Sequence, residues 1–184
     1  GFKNLIIHNA CTAASVSYDS SQGSTIRLGL GLYGLNPTDA VGRMIYKKTG
    51  KKLQPVLAWK TKIIQVKNIT PNTTVGYGRT YKAKHKMKIG VLPIGYYDGY
   101  DRKLSNKGMV QVGNSLCKVR GRICMNLTMI ELPNKNNFQN ENEVFLIDPK
   151  HSIINVDKIA KTIETINYEI TTRINSKIPR LLVA

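Results

Sequence analysis

The chain has 184 residues, 41% apolar and 21% charged, which supplies a real hydrophobic core and excludes a disordered or low-complexity segment. Its formal charge of +17 admits nucleic acid or anionic lipid as partners, but the lysines are scattered and no aromatic ribonucleoprotein or helix-turn-helix signature accompanies them. An anionic small molecule is therefore the expected use of part of that charge, with no nucleic acid and no membrane as partner, since no stretch approaches the roughly 20 apolar residues of a span.

The first predicted element is the strand-like run NLIIHNA (residues 4–10), apolar and then polar, as suits a buried strand delivering groups from its carboxyl end. It is too short, and too soon interrupted by His8 and Asn9, to be the core of a signal peptide. TIRLGLGLYGL (residues 25–35) predicts a second buried strand, and two such strands suggest a parallel α/β arrangement. The character changes near Asn36–Pro37 to a turn, a short helix and a basic loop, and the boundary between two domains, 1–38 and 39–184, is placed there. Beyond it the pattern is all-β. Residues 56–69 alternate as one long or bent strand, and short strands punctuated by Gly, Asn, Asp and Pro follow at 88–100, 108–114, 115–132 and 142–148. That spacing describes a small barrel or sandwich. Val156, Ile159, Ala160, Ile163 and Ile166 then recur at helical spacing, with Ser152 or Asn155 as the cap. The expected fold is mainly β, and a piece of a longer protein is expected.

Three cysteines without metal-ligand spacing read as reduced thiols, so neither a disulfide framework nor a metal site is expected. Arg27 stands inside an apolar strand. It is either a strand-end arginine reaching outward or a cation facing a ligand, because burial without a partner costs several kcal/mol. Gly29, Gly31 and Gly34 fall at the first, third and sixth positions of a dinucleotide fingerprint, but no acidic partner follows at the right distance. Such glycines can still offer backbone N–H groups to a phosphate. Finally, VGYGRTYKA (residues 75–83) sets Tyr77 between two glycines, which give a large phenol no packing support. Either Tyr77 is a core tyrosine beside a bulge, or its hydroxyl must reach something.

The runs HNACTAAS, IRLGLGLYGLNP, VGYGRTYKA, IGVLPIGYYDGYDRKLSN, VRGRICMNLTMIEL and IETINYEI, taken in order, resemble the carboxyl-terminal half of alanine racemases. The resemblance implies pyridoxal 5'-phosphate as cofactor and a carboxyl-terminal β-domain preceded by the last strands of an incomplete, TIM-like α/β barrel. The lysine that carries the cofactor belongs to the amino-terminal portion, outside these residues, so the fragment alone is expected to be inactive. The resemblance makes Tyr77 the base on one face of the substrate α-carbon, acting across a homodimer interface on the other subunit's cofactor. Arg27 then faces the pyridine nitrogen. Thr12 (in a run where Cys11 replaces the family's asparagine), Gly29, Leu30 and Tyr168 hold the phosphate. Met125 offers its backbone N–H to the substrate carboxylate, and Tyr96, with Arg102 and Arg122, lines the substrate's approach, while Asn126 stands where the family commonly has aspartate. The implied activity is interconversion of L- and D-alanine for peptidoglycan in the cytoplasm. A serine or broad-specificity racemase, a non-catalytic dimerisation module and a basic nucleic-acid-binding β-domain are the alternatives.

Overall fold

A computed structural model describes residues 3–18, 23–135 and 137–183, and the chain divides into two units, Gly1–Leu57 and Ala58–Ala184. In the first unit, β1 (His8–Cys11) and β2 (Thr25–Arg27) pair in parallel, as expected, with Cys11 opposite Arg27. Both strands are shorter than their apolar runs. Leu5, Ile6, Ile7 and Ile26 are exposed, because two paired strands cannot cover their own faces. The expected continuation of β2 to Leu35 is instead a 3-10 turn over Leu30–Tyr33. There the Leu32 N–H donates to the Gly29 carbonyl at 2.9 Å and the Gly34 N–H to the Gly31 carbonyl at 3.1 Å, bonds that curl the chain and end any ladder.

Helix α1 (Thr12–Ser17) joins the two strands. Helix α2 (Asp39–Thr49) is the short helix expected after residue 36. Thr38 caps it, its hydroxyl accepting from the Val41 N–H at 3.2 Å. Asp39 in the first turn and Lys47 and Lys48 in the last complement the helix dipole. This helix falls within the first unit, which ends at Leu57 rather than near residue 38.

The second unit is β-rich. The bent strand at 56–69 is two strands, β3 (Trp59–Lys62) and β4 (Gln65–Ile69). The hinge is at Ile63 and Ile64, whose N–H groups donate to Asn142 and Val91 and so hand the chain from one sheet to the next. A hairpin of β5 (Thr74–Val75) and β6 (Tyr81–Lys82) follows, and then β7 (Met87–Leu92). The remaining strands are β8 (Met109–Val112), β9 (Ser115–Lys118), β10 (Thr128–Leu132) and β11 (Glu143–Ile147). They form a three-stranded sheet, β10-β7-β4, and a four-stranded sheet, β3-β11-β8-β9, with antiparallel pairs throughout. A bridge between Val119 and Ile130 links the sheets at the side away from the Ile63 hinge. The result is two sheets about one core, with no continuous ladder closing a barrel among the described residues.

That core is built by simple alternation. Leu92, Ile130 and Leu132 of the first sheet and Val110, Val112, Val144 and Leu146 of the second are all essentially inaccessible. Trp59 and Tyr100 add an edge-to-face pair with ring centres 6.1 Å apart. The opposite face of the three-stranded sheet is covered too: Met87 and Ile89 carry Val75 and Ala83 of the hairpin, with Ile69, Tyr81 and Met129 around them. Two helices finish the unit. Helix α3 (Val156–Thr162) is the one expected, capped by Asn155 accepting from the Lys158 N–H at 2.9 Å. The second, α4 (Asn167–Arg173), carries Tyr168 in its first turn.

Candidate active site

Tyr77 sits at the tip of the β5–β6 hairpin and is 74% exposed, with no hydrogen-bond partner among the described residues. The flanking glycines explain how it is held there. Gly76 adopts φ +73° and ψ 178°, a conformation essentially confined to glycine. A Cβ on Gly76 would stand 3.0 Å from the backbone nitrogen of Arg122. The loop therefore lies flat against the Arg122 segment while the phenol points away. Tyr81, four residues on, does the opposite. It is half-buried, its ring lies under the Arg120 guanidinium at 4.6 Å, and its hydroxyl donates to the Met87 sulfur at 3.6 Å. Arg120 in turn donates from Nε to Glu131 at 2.6 Å. Of the two tyrosines, one packs and one is presented.

The segment from Gly121 to Met125 organises the other groups. Gly121 has φ +76°, and its backbone lies so close to the Val75 carbonyl that a Cβ would come within 2.4 Å of that oxygen. The carbonyls of Cys124 and Met125 accept from the N–H groups of Tyr96 and Tyr97 at 3.1 and 3.0 Å, which fixes the 3-10 turn bearing Tyr96. Met125 is half-exposed, at the tip of a turn closed by the Cys124 N–H donating to Leu127, and its own N–H has no partner among the described residues. A cavity of about 540 Å³ lined by Tyr96, Gly99, Asp101, Arg102 and Arg173 opens beside this turn. Arg173 is held by Asp101 and Glu169 at 2.7 and 3.1 Å, whereas Arg102 is in no ion pair among the described residues. Tyr77, Tyr96 and Met125 are thus carried by loops anchored on one backbone segment.

The first unit brings together three of the expected phosphate groups. Thr12 is buried, and its hydroxyl oxygen accepts from the N–H groups of Gly29 and Gly31 at 3.3 and 3.4 Å. Leu30 buries its side chain but leaves its N–H without a partner among the described residues. A Cβ built on Gly29 would meet nothing within 4 Å, so the space over these donors is open. Hydroxyl and amide donors around open space suit a phosphate. Arg27, the last residue of β2, is exposed and held by one bond, from Nη2 to the Asn9 carbonyl at 3.0 Å. Tyr168 belongs to the second unit, on α4.

The cysteines differ sharply in environment. Burial pushes the Cys117 thiol up to about 12. The backbone N–H groups of Ala14 and Ala13, at the start of α1, lower that of exposed Cys11. A thiol reagent at pH 8 should therefore modify Cys11 first and leave Cys117 untouched until the chain unfolds, as peptide mass spectrometry would show. Labelling of Cys117 at the Cys11 rate would contradict the packing of β9.

No described helix is long and apolar enough to cross a membrane. Over residues 56–182 the chain matches the family described as alanine racemase, C-terminal domain. It is 35% identical over 188 residues to the alanine racemase of Leptospira interrogans, covering 100% of this chain and 48% of that protein. Among solved structures it is similar to the Bacillus anthracis alanine racemase with bound L-Ala-P, at 30% identity and a TM-score of 0.84, covering 97% of this chain and 45% of that one. The fold is shared also with the Bartonella henselae alanine racemase with covalently bound pyridoxal phosphate, at 23% identity and a TM-score of 0.80, over 98% of this chain and 48% of that one. The chain spans about half the length of the curated relatives it matches.

Proposed function

The chain belongs to the alanine racemase family, and from that premise we propose that it is the carboxyl-terminal portion of an enzyme that interconverts L- and D-alanine. The observation that carries this reading is the presentation of Tyr77, an exposed phenol on a loop whose backbone is packed against the Arg122 segment. A side chain so placed gives up packing and is available to a second subunit. In a homodimer with shared sites, Tyr77 removes or returns hydrogen at one face of the substrate α-carbon.

Pyridoxal phosphate, when bound, supplies the electron withdrawal that makes that hydrogen acidic. The groups around the open space at Gly29 fit its phosphate: the Thr12 hydroxyl and the Leu30 N–H would donate to it, with the Gly29 N–H orienting the Thr12 hydroxyl. Arg27 suits a ring nitrogen. A guanidinium is already fully protonated and cannot take up a proton, so Arg27 would donate to that nitrogen and hold it unprotonated. The N–H of Met125, without a partner among the described residues, would receive the substrate carboxylate, and Tyr96 would narrow the approach. D-Alanine made in this way would serve peptidoglycan synthesis in the cytoplasm.

The test uses the full-length polypeptide that carries this chain, loaded with pyridoxal phosphate. L- and D-alanine are each followed by loss of optical activity and by uptake of deuterium from ²H₂O at the α-carbon, with serine as comparator. Exchange from both alanine enantiomers is expected. Faster exchange with serine would reassign the substrate, and no exchange with either would leave a non-catalytic dimerisation module.

A further inference from the structure

We propose that Asn106 is a positioning residue that sets the placement of Tyr77, an inference that rests on the reading of Tyr77 as a base. Asn106 follows a 3-10 turn over Arg102–Leu104 and adopts a left-handed conformation, φ +60°. Its Oδ1 accepts from the Gly121 N–H at 2.7 Å. Its Nδ2 donates to the Thr80 carbonyl and to the Thr80 hydroxyl, each at 3.3 Å. The orientation of the amide follows from chemistry: a backbone N–H can only donate and a carbonyl can only accept. One side chain therefore ties the last residue of the Tyr77 loop to the segment against which that loop lies.

The clamp matters because the phenol has no hold of its own. Tyr77 is exposed and without a partner among the described residues, so its position is set by the backbone of residues 76–80. The hairpin below contributes two ladder pairs, Thr74 with Lys82 and Val75 with Tyr81. Asn106 supplies the tie on the far side of the tip. Ser105, its neighbour, anchors the same region by accepting from the Ile123 N–H at 3.0 Å. Proton transfer is steep in distance, and a displacement of about 1 Å costs on the order of 100-fold in rate.

Two substitutions separate positioning from folding. Asn106→Asp keeps the length, the tolerance for positive φ and the acceptor for Gly121, but turns an anion toward the Thr80 carbonyl. Asn106→Gly keeps the backbone conformation and removes the whole clamp. In the full-length, cofactor-loaded enzyme, both should lower kcat by roughly 10–100-fold with KM little changed. Amide hydrogen exchange at residues 76–80 should quicken while exchange in β7 and β10 does not. Adding Asn106→Asp to Tyr77→Phe should cost nothing further, since the clamp acts through the phenol. Wild-type rates in both Asn106 variants, or fully additive losses in the double variant, would overturn the clamp while leaving Tyr77 as the base. Full activity of Tyr77→Phe alone would remove the base itself and the clamp's role with it.

Discussion

Replacing Tyr77 with phenylalanine in the full-length enzyme should lower kcat by about 10²–10⁴-fold, the range over which a positioned acid–base group contributes. The loss should be unequal for the two enantiomers when α-deuterium uptake is measured separately from each. On the proposed reading the phenol would serve one face of the α-carbon and a group outside this chain the other. Structure makes the experiment clean. Within its own chain the side chain is largely in solvent and makes no described hydrogen bond, so removing its hydroxyl disturbs none of that chain's packing. The melting temperature should stay where it is. Equal rates before and after the substitution would reject the assignment of the base.

The second large effect is expected at Gly121, and it falls on the scaffold. Gly121→Ala places a Cβ in a left-handed backbone, at ~1–2 kcal/mol, and within 2.4 Å of the Val75 carbonyl oxygen, where relieving an overlap costs ~1–3 kcal/mol. A total near 3 kcal/mol corresponds to a fall in Tm of roughly 6–12 °C for a chain of this size. Gly121→Asn divides the two causes. Asparagine tolerates the positive φ, so it should rescue stability only if strain dominates, whereas an equal loss identifies the clash with β5. Circular dichroism melting of the three proteins decides it, and a Gly121→Ala protein that melts with the parent would show that the close approach is not there.

Where the chain follows a single local period, its reading from sequence and its structure coincide. Thr128 to Leu132 alternate buried and half-buried residues as β10 requires, and of the two expected caps, Ser152 and Asn155, it is Asn155 that caps α3. The departures have a common cause, which is that neighbours in space outweighed the local pattern. Ile166 to Arg173 is rich in β-branched residues, which disfavour helix. It nevertheless forms α4, with Asn167 donating to Asp157 of α3 at 2.8 Å and an Arg173–Glu169 pair along its side. Leu28 to Leu35 looks like strand by hydropathy but curls, because each 3-10 bond closes locally before a ladder partner is met.

The candidate site was legible to the same degree. Glycines on either side of Tyr77 marked it, since that pattern is local. Asn106 carried no such mark. Its partners are 26 and 15 residues away in the chain, and a serine-asparagine-lysine-glycine run reads as any loop. Only the fold brings Thr80, Asn106 and Gly121 together.

The hairpin bearing Tyr77 rests on the outer face of the three-stranded sheet, where its Val75 and Ala83 bury against Met87 and Ile89, a small cluster separated from the main core by the sheet itself. A patch of that size makes the hairpin its own small cooperative unit, able to lift off at a free energy below that of global unfolding. Warmth or mild denaturant should then detach the arm that presents Tyr77 while both sheets keep their architecture, so that the presentation of the phenol is a more fragile property of this molecule than its shape.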